Sequence, residues 1–282
     1  MQQKEITIFE SLDSTNNYAM QQVHAGMAVH GDTFLALQQT AGKGQHGKAW
    51  LAQKGESVLM SMVLNLHAPD SVLFPIGINQ QFQLSALVAV AVRSWFASYA
   101  GDNIFIKWPN DIYWNDRKAG GILIENVIGS KRRNADLTIS NKSYPVENSV
   151  SDEQNQLGAH WKWSVVGIGV NINQRDFPYF LLNPISLRMI TGVDHNIIEM
   201  ANSLKISIEK YWEKWLNGGW ASIFEQYNAH LYKKGQQVRL RKGNVVMPCT
   251  IKSVSETGKL QIAEDAVEFT VGEISWEMAL NC

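Results

Sequence analysis

Two lysines and an aspartate lie close together in the segment 107–125, which reads KWPNDIYWNDRKAGGILIE. Lys118 comes just before Gly120 and Gly121. This arrangement can clamp a carboxylate or a phosphate, because glycine lets the backbone approach a ligand closely and the ammonium group supplies charge. Asp111 follows an asparagine at the predicted end of a strand, where its carboxylate can hold Mg²⁺ or a hydroxyl group. The alternative is a β-hairpin whose charged side chains face water.

A second cationic segment, 41–50, has three glycines within six residues, interleaved with Lys43, His46 and Lys48. Such a loop can fold over a phosphate and offer it both backbone N–H groups and positive charge. The loop lacks the GK[ST] ending of a P-loop. A solvated surface turn is the alternative interpretation.

Hydrophobic periodicity predicts the elements that would position these segments. Strands are predicted at residues 6–8, 34–37, 57–66, 104–108, 112–114, 122–124 and 161–173. Helices are predicted at 18–24 and 82–96, at a short segment ending at Gly192, along an apolar face from 197 to 215, and at 220–231. Ser14 and Thr15 stand where the first helix would begin, so helix capping alone can explain them.

The pattern changes after about residue 234, where short strands are predicted at 238–240, 250–254, 260–262 and 267–271. These strands indicate a small all-β barrel. Residues 129–158 are polar and show no stable period, which favours an exposed insertion or a protruding hairpin. We therefore predict a first domain at 1–232, with 129–158 as its insertion, and a C-terminal domain at 233–282.

Length and composition narrow the class of protein. The chain has 282 residues and a formal net charge of −1, which gives no reason to expect DNA as a partner. Cys249 and Cys282 have no metal-binding or redox spacing, and this favours a reducing compartment. The N-terminus has no signal-peptide pattern and no apolar run is long enough to span a bilayer, so we expect a cytoplasmic protein without a membrane partner.

The order KWPND, a short spacer and RKxGGILIE resembles the central signature of biotin protein ligases. Three further stretches are similar to motifs of that family, namely DSTN at 13–16, GIGVN at 167–171 and GEISW at 272–276. The glycine-rich loop resembles the family's GRGRxGR, but lysine, glutamine and histidine replace its arginines. Lysine keeps the charge and loses the two-pronged hydrogen bonding of arginine.

The resemblance and the predicted elements together imply an α+β fold. We expect a mixed, mostly antiparallel sheet flanked by helices, like the class II synthetase-like catalytic domain of biotin ligases, and a small C-terminal SH3-like β-barrel. Repressor-type members carry a helix-turn-helix before this domain. The sequence before Ile6 is too short for one, so we expect no DNA binding.

The resemblance also implies an active site. Lys118 and Asp111 are the expected catalytic residues, with Mg²⁺ near Asp111. The expected biotin contacts are Ser14, Thr15, Asn16, Gln39, Gly42, Lys43, Lys118, Gly120 and Gly121. The expected nucleotide contacts are Lys43, Gln45, His46, Lys48, Trp50, Asn110 and Asn171. Trp50 would stack near the adenine, and core packing is its alternative role.

The reaction implied by the resemblance has two steps and uses ATP, Mg²⁺ and biotin. Biotin and ATP give biotinyl-5′-AMP, and biotin then passes to a lysine of a biotin carboxyl carrier protein or carrier domain. Two alternatives stay open: a lipoate or octanoate ligase or transferase of the same fold, and a non-catalytic biotin or adenylate sensor. KWPND and DSTN favour biotin. The sequence does not fix the oligomeric state, and a homodimer stays open.

Overall fold

The computed structural model describes residues 4–66, 77–130, 159–264 and 266–277. Its strands are β1 Thr7–Phe9, β2 Thr33–Ala36, β3 Ser57–Asn65, β4 Ile104–Lys107, β5 Asp111–Trp114, β6 Arg117–Ser130, β7 Ala159–Asn171, β8 Gln237–Lys242, β9 Val245–Val254, β10 Leu260–Ile262, β11 Glu268–Phe269 and β12 Ser275–Trp276. Its α-helices are α1 Thr15–His24, α2 Gln81–Ala100, α3 Leu187–Thr191, α4 Ile197–Leu216 and α5 Trp220–Ala229.

The first seven strands form one sheet in the order β1-β2-β3-β7-β6-β5-β4. β1 and β2 pair in parallel, and every other neighbouring pair in this sheet is antiparallel. The last five strands form an antiparallel sheet in the order β11-β10-β9-β8-β12. The predicted α+β fold with a small C-terminal all-β unit is therefore confirmed. The domain boundary at 232/233 stays a prediction.

Helices cover both faces of the large sheet. The main apolar cluster contains the buried faces of α2 and α4, for example Leu87, Val88 and Leu204. It continues into the C-terminal sheet, where Ile251 belongs to the same cluster. A smaller cluster under α1 lies on the opposite face of the sheet and joins Val23 and Ala19 to Phe34, Val63 and Val165. Because successive side chains of a strand point to opposite faces, β3 and β7 contribute to both clusters.

The glycine pair is placed differently from the sequence expectation. Gly120 and Gly121 were expected to precede a strand at 122–124, but β6 already begins at Arg117 and contains both glycines. The reason is tight pairing with β7, because a Cβ atom at Gly120 would lie 3.1 Å from the carbonyl oxygen of Gly169. The absence of a side chain at Gly120 therefore allows the close pairing of β6 with β7.

The predicted insertion at 129–158 lies outside the described residues except for residues 129 and 130. There Ser130 of β6 pairs with Ala159 of β7, so the insertion joins the tips of two neighbouring antiparallel strands. No helix in the described part of the chain is long and apolar enough to cross a membrane.

Candidate active site

A cavity of about 680 Å³ is lined by residues of β5, β6 and β7 in the large sheet and is closed on one side by the C-terminal sheet. Its volume falls in the range of small-molecule and cofactor sites. Most of the predicted site residues line it: Ser14, Thr15, Asn16, Gln39, Lys43, Gln45, Lys48, Trp50, Asn110, Asp111, Lys118, Gly121 and Asn171. The structure thus brings together segments that are more than 150 residues apart in sequence.

Two predicted contacts, Gly42 and Gly120, do not belong to this lining. Gly42 instead lets the two ends of the glycine-rich loop meet, because a Cβ atom there would lie 2.5 Å from the carbonyl oxygen of Trp50. The N–H group of Trp50 donates to the carbonyl oxygen of Gly42 over 2.9 Å. The side chain of His46 lies outside the described part of the chain, so its expected nucleotide contact stays a prediction.

Lys118 and Asp111 form an ion pair inside the cavity, with 2.7 Å between Nζ and Oδ1. Gly121 faces Asp111 across the β5–β6 pair and leaves room for this ion pair. A Cβ atom at Gly121 would lie 3.3 Å from Asp111 Oδ1 and 3.5 Å from Lys118 Nζ. The backbone of Lys118 is held as well, because its N–H group donates to Asn183 O and its carbonyl accepts from Ile185 N.

Lys107 is one of four lysines that line the cavity and the most buried of them, with 9% of its surface exposed. Its Nζ donates to the hydroxyl of Tyr113 over 3.2 Å and lies 5.4 Å from the ring centre of Trp276 in the C-terminal sheet. Burial lowers the pKa of Lys107 to about 8, while the charge of Asp111 opposes this shift and the charges of Lys118 and Lys48 add to it. A buried amine among other lysines is suited to meet a polyanion.

The opposite end of the cavity is neutral and rich in hydrogen-bonding groups. Ser14 is the N-cap residue of α1, but its side chain makes no capping hydrogen bond. Capping therefore does not explain Ser14, which is 2% exposed and lines the cavity. The N–H group and the hydroxyl of Thr15 both donate to Gln39 Oε1, over 2.7 Å and 3.0 Å.

The amide nitrogens of three asparagines, Asn16, Asn110 and Asn171, donate hydrogen bonds to neighbouring groups of the protein. Asn16 Nδ2 donates to Glu125 Oε2 over 2.8 Å, and Asn110 Nδ2 donates to the carbonyl oxygen of Ile122. Asn171 is 4% exposed, and its Nδ2 donates to Ile185 O over 3.1 Å. All three side chains border the cavity, so any ligand contact would come from their remaining atoms.

The indole of Trp50 lies flat against the glycines of the two central strands. A Cβ atom at Gly169 would lie 2.5 Å from Trp50 Cε2, and one at Gly121 would lie 3.2 Å from Trp50 Cζ3. The Nζ atom of Lys118 is 5.6 Å from the centre of the indole. Trp50 Nε1 is buried without a hydrogen-bond partner among the described residues. Trp50 also lines the cavity, so its expected stacking near the adenine stays a prediction.

The sequence interpretation missed two segments that line the cavity. One is the apolar loop that contributes Phe177, Phe180, Leu181, Leu182 and Pro184, and the other is the end of the C-terminal sheet, which contributes Ile274, Ser275 and Trp276. Phe180 is 61% exposed. The run DFPYFLLNP at 176–184 was a usable signal, because consecutive apolar side chains in a loop are unusual unless something covers them.

Metal binding by the protein alone has little support in the described residues, where no three histidine, cysteine, aspartate or glutamate side chains cluster. Asp111 offers one carboxylate, and that carboxylate is paired with Lys118. A single carboxylate is nevertheless a common protein ligand of Mg²⁺ when phosphate oxygens complete the coordination. The residues thus fit a Mg²⁺ ion that arrives with a nucleotide, and the predicted site near Asp111 stays a prediction.

The fold and the cavity define the class of protein to which this chain is similar. The sequence model of the Biotin/lipoate A/B protein ligase family matches residues 8–139. The resemblance to biotin protein ligases that the sequence motifs predicted is thereby confirmed.

Particular relatives agree with this class. The chain is 26% identical over 240 residues to the bifunctional ligase/repressor BirA of Bacillus spizizenii, covering 84% of this chain and 63% of that relative. It is 26% identical over 241 residues to the biotin–protein ligase of Schizosaccharomyces pombe, covering 83% of this chain and 33% of the relative. The chain thus spans less than two thirds of either relative's length.

A solved structure shares the fold over almost the whole chain. The biotin protein ligase from Aquifex aeolicus in complex with biotin and ATP superimposes with a TM-score of 0.72 at 22% identity, covering 98% of this chain and 100% of that one. At this identity the likeness concerns the fold.

Proposed function

We propose that the protein is an ATP-dependent biotin protein ligase. The observation that carries the proposal is the division of one cavity into two unlike ends. The Lys118–Asp111 pair and Lys107 form a charged end, and Ser14, Thr15 and Gln39 form a neutral, hydrogen-bonding end. Biotin has the same division, because its carboxylate is charged and its ureido ring is neutral.

In the first step, a biotin carboxylate oxygen attacks the α-phosphorus of ATP. A C–O–P bond forms, the bond to the bridging oxygen of the β-phosphate breaks, and pyrophosphate leaves. The reaction needs no nucleophile from the protein, so catalysis rests on positioning and on charge stabilisation. The role that we assign to the Lys118 ammonium group is contact with both the carboxylate and the α-phosphate, and its position in the cavity supports this role. Asp111 orients that ammonium group before the substrates bind.

Lys107 and Lys48 stabilise the remaining phosphates from the same side of the cavity. Bound Mg²⁺ would neutralise charge on the pyrophosphate, and Asp111 is the carboxylate that would hold it. The loop with Lys43 and Trp50 closes one wall and keeps water from the mixed anhydride.

In the second step, a lysine amine of a carrier domain attacks the acyl carbon. An amide C–N bond forms, the C–O bond to AMP breaks, and the amine loses a proton. The carrier is a biotin carboxyl carrier protein or the carrier domain of a biotin-dependent carboxylase. The open mouth of the cavity, bordered by Phe180 and Leu182, gives the incoming lysine access.

The test is transfer of biotin onto a purified carrier domain, with ATP and Mg²⁺ present or omitted. We expect biotinylation of one lysine only when ATP is present. Transfer of lipoate or octanoate instead would support the alternative ligase of the same fold. Binding of biotin with no adenylate formed would support a sensor and contradict the proposal.

A further inference from the structure

Glu125 does not line the cavity, yet hydrogen bonds connect it to the neutral end. Asn16 Nδ2 donates to Glu125 Oε2 over 2.8 Å and to the carbonyl oxygen of Leu123 over 3.3 Å. A carboxylate and a carbonyl can only accept hydrogen bonds. The orientation of the Asn16 amide is therefore fixed, with its nitrogen toward β6 and its oxygen toward β3.

The amide oxygen of Asn16 faces the hydroxyl of Ser61 in β3. This hydroxyl is fully buried and lies 2.6 Å from Asn16 Oδ1 and 2.7 Å from Thr15 Oγ1. A serine hydroxyl has one proton to donate. Asn16 Oδ1 can only accept, so it competes with Thr15 for that proton.

Thr15 has no proton to spare for a ligand. It donates its hydroxyl to Gln39 Oε1, and it also lies against Ser61. Two hydroxyl protons must serve three close oxygen–oxygen contacts, so the network is one hydrogen short. The Thr15 oxygen, which borders the cavity, therefore offers lone pairs and no proton.

Gly167 of β7 leaves room for the side chain of Asn16. A Cβ atom at Gly167 would overlap the Asn16 side chain, Oδ1 first. Only glycine at this position lets the Asn16 amide reach Ser61 and Glu125 together. The network therefore depends on four elements, α1, β3, β6 and β7.

We propose that Glu125 is a positioning residue which, through Asn16 and Ser61, makes Thr15 a hydrogen-bond acceptor and so selects a ligand that carries an N–H donor. The inference rests on the proposed function and refines it. A ureido ring carries N–H groups that can donate to the Thr15 oxygen. The dithiolane of lipoate and the chain of octanoate carry no N–H group, and would leave the buried Thr15 oxygen without a donor from the ligand, which is costly.

The experiment measures biotin binding by calorimetry in the full-length protein. Glu125→Leu removes the closer of the two acceptors of Asn16 Nδ2 and leaves only the longer contact with Leu123 O, so the Asn16 amide is held less firmly. We expect the biotin Kd to rise about tenfold, the worth of one well-placed hydrogen bond. Glu125→Gln keeps an accepting oxygen at the same reach and should stay within about threefold of the wild type. ATP binding should be unchanged in both variants, which controls for folding.

A second variant makes the assignment independent of how well Glu125→Leu folds. Thr15→Val keeps the shape of Thr15 and removes the accepting oxygen. We expect the double variant Thr15→Val/Glu125→Leu to bind biotin no more weakly than Thr15→Val alone, because both changes remove the same hydrogen bond.

Three outcomes would overturn the proposal. One is a wild-type biotin Kd in Glu125→Leu, another is fully additive losses in the double variant, and the third is an equal loss of ATP binding. A wild-type protein that binds no biotin at all would contradict the proposed function itself, and that result is visible before any variant is made.

Discussion

Lys118 Nζ and Asp111 Oδ1 lie 2.7 Å apart above the bare backbone of Gly121. The ammonium group is thus held in the cavity before any substrate arrives. Pre-organised charge of this kind contributes to catalysis because little rearrangement is needed when negative charge develops.

The first prediction concerns this ammonium group. Lys118→Ala should lower the rate of biotin- and ATP-dependent pyrophosphate release by at least about 100-fold, the usual effect of removing a charge-stabilising donor. The side chain is about one third exposed, so the fold should be retained. Lys210→Ala, on the exposed side of α4, is the matched control and should be fully active. Pyrophosphate release at the wild-type rate from Lys118→Ala would refute the role.

The second prediction concerns Lys107 and activity. Its pKa of about 8 means that the cavity loses a positive charge as the pH rises through that value. We expect kcat/KM for ATP to fall above about pH 8 in the wild type. Lys107→Met should be slower at neutral pH and should lack this decline. A flat wild-type profile from about pH 7 to about pH 9.5 would contradict the prediction.

The same lysine gives a third prediction, on stability. Because burial lowers the pKa of Lys107 from 10.5 to about 8, the unfolded chain binds more protons than the folded one between these values. The contribution of Lys107 to the free energy of unfolding is therefore most favourable above about pH 10.5 and is lost as the pH falls through about 8. The full shift corresponds to about 3 kcal/mol.

Urea unfolding of the wild type and of Lys107→Met checks this sign. The methionine variant should gain most relative to the wild type near pH 7, and the gain should shrink as the pH rises toward about 10. A difference that is constant with pH would show that Lys107 is not charged at a cost in the folded protein.

The fourth prediction concerns the contact between Trp50 and Gly169. Gly169→Ala places a methyl group 2.5 Å from Trp50 Cε2, so the indole must move. We expect a destabilisation of about 1–3 kcal/mol, typical of overpacking. Trp50→Ala removes the obstacle, so the double variant should lose less than the sum of the two single losses. Denaturant unfolding of the four proteins measures this coupling, and simple additivity would contradict it.

The fifth prediction concerns the glycine-rich loop. Lys43 lies in the cavity wall, and the loop is closed at its base by hydrogen bonds between its two ends. Lys43→Ala should release biotinyl-AMP several-fold faster, because an ammonium group near the phosphate is lost, at a cost of about 1 kcal/mol for a partly exposed pair. Lys54→Ala, which is exposed and pairs with Glu10 outside the cavity, is the control. An unchanged dissociation rate would count against closure by this loop.

The sequence predicted the parts of the site that are carried by local patterns. KWPND and the RKxGGILIE stretch placed Asp111 and Lys118 around a polar hinge between predicted strands, and DSTN placed Ser14 and Thr15 at a helix start. These predictions needed only strand periodicity, turn residues and a family resemblance.

What the sequence did not predict depends on long-range packing. Ser61 stands within one predicted apolar strand and Glu125 directly follows another, so neither shows its connection to Asn16 in sequence. Trp276 follows the last predicted strand in the GEISW motif, and the sequence does not show its contact with Lys107. Its ring reaches Lys107 only because the C-terminal sheet packs onto the large one. Such contacts arise from tertiary structure, and no local pattern encodes them.

One wall of the cavity is built by residues 271–276, which follow every other lining segment in the chain. Trp108 Nε1 also donates to the carbonyl oxygen of Gly258, which fastens the KWPND segment to the same sheet. A protein fragment ending at residue 232 would therefore lack one wall of the cavity. Two separately expressed pieces would need to reassociate before the amine of Lys107 regained its contact with the ring of Trp276.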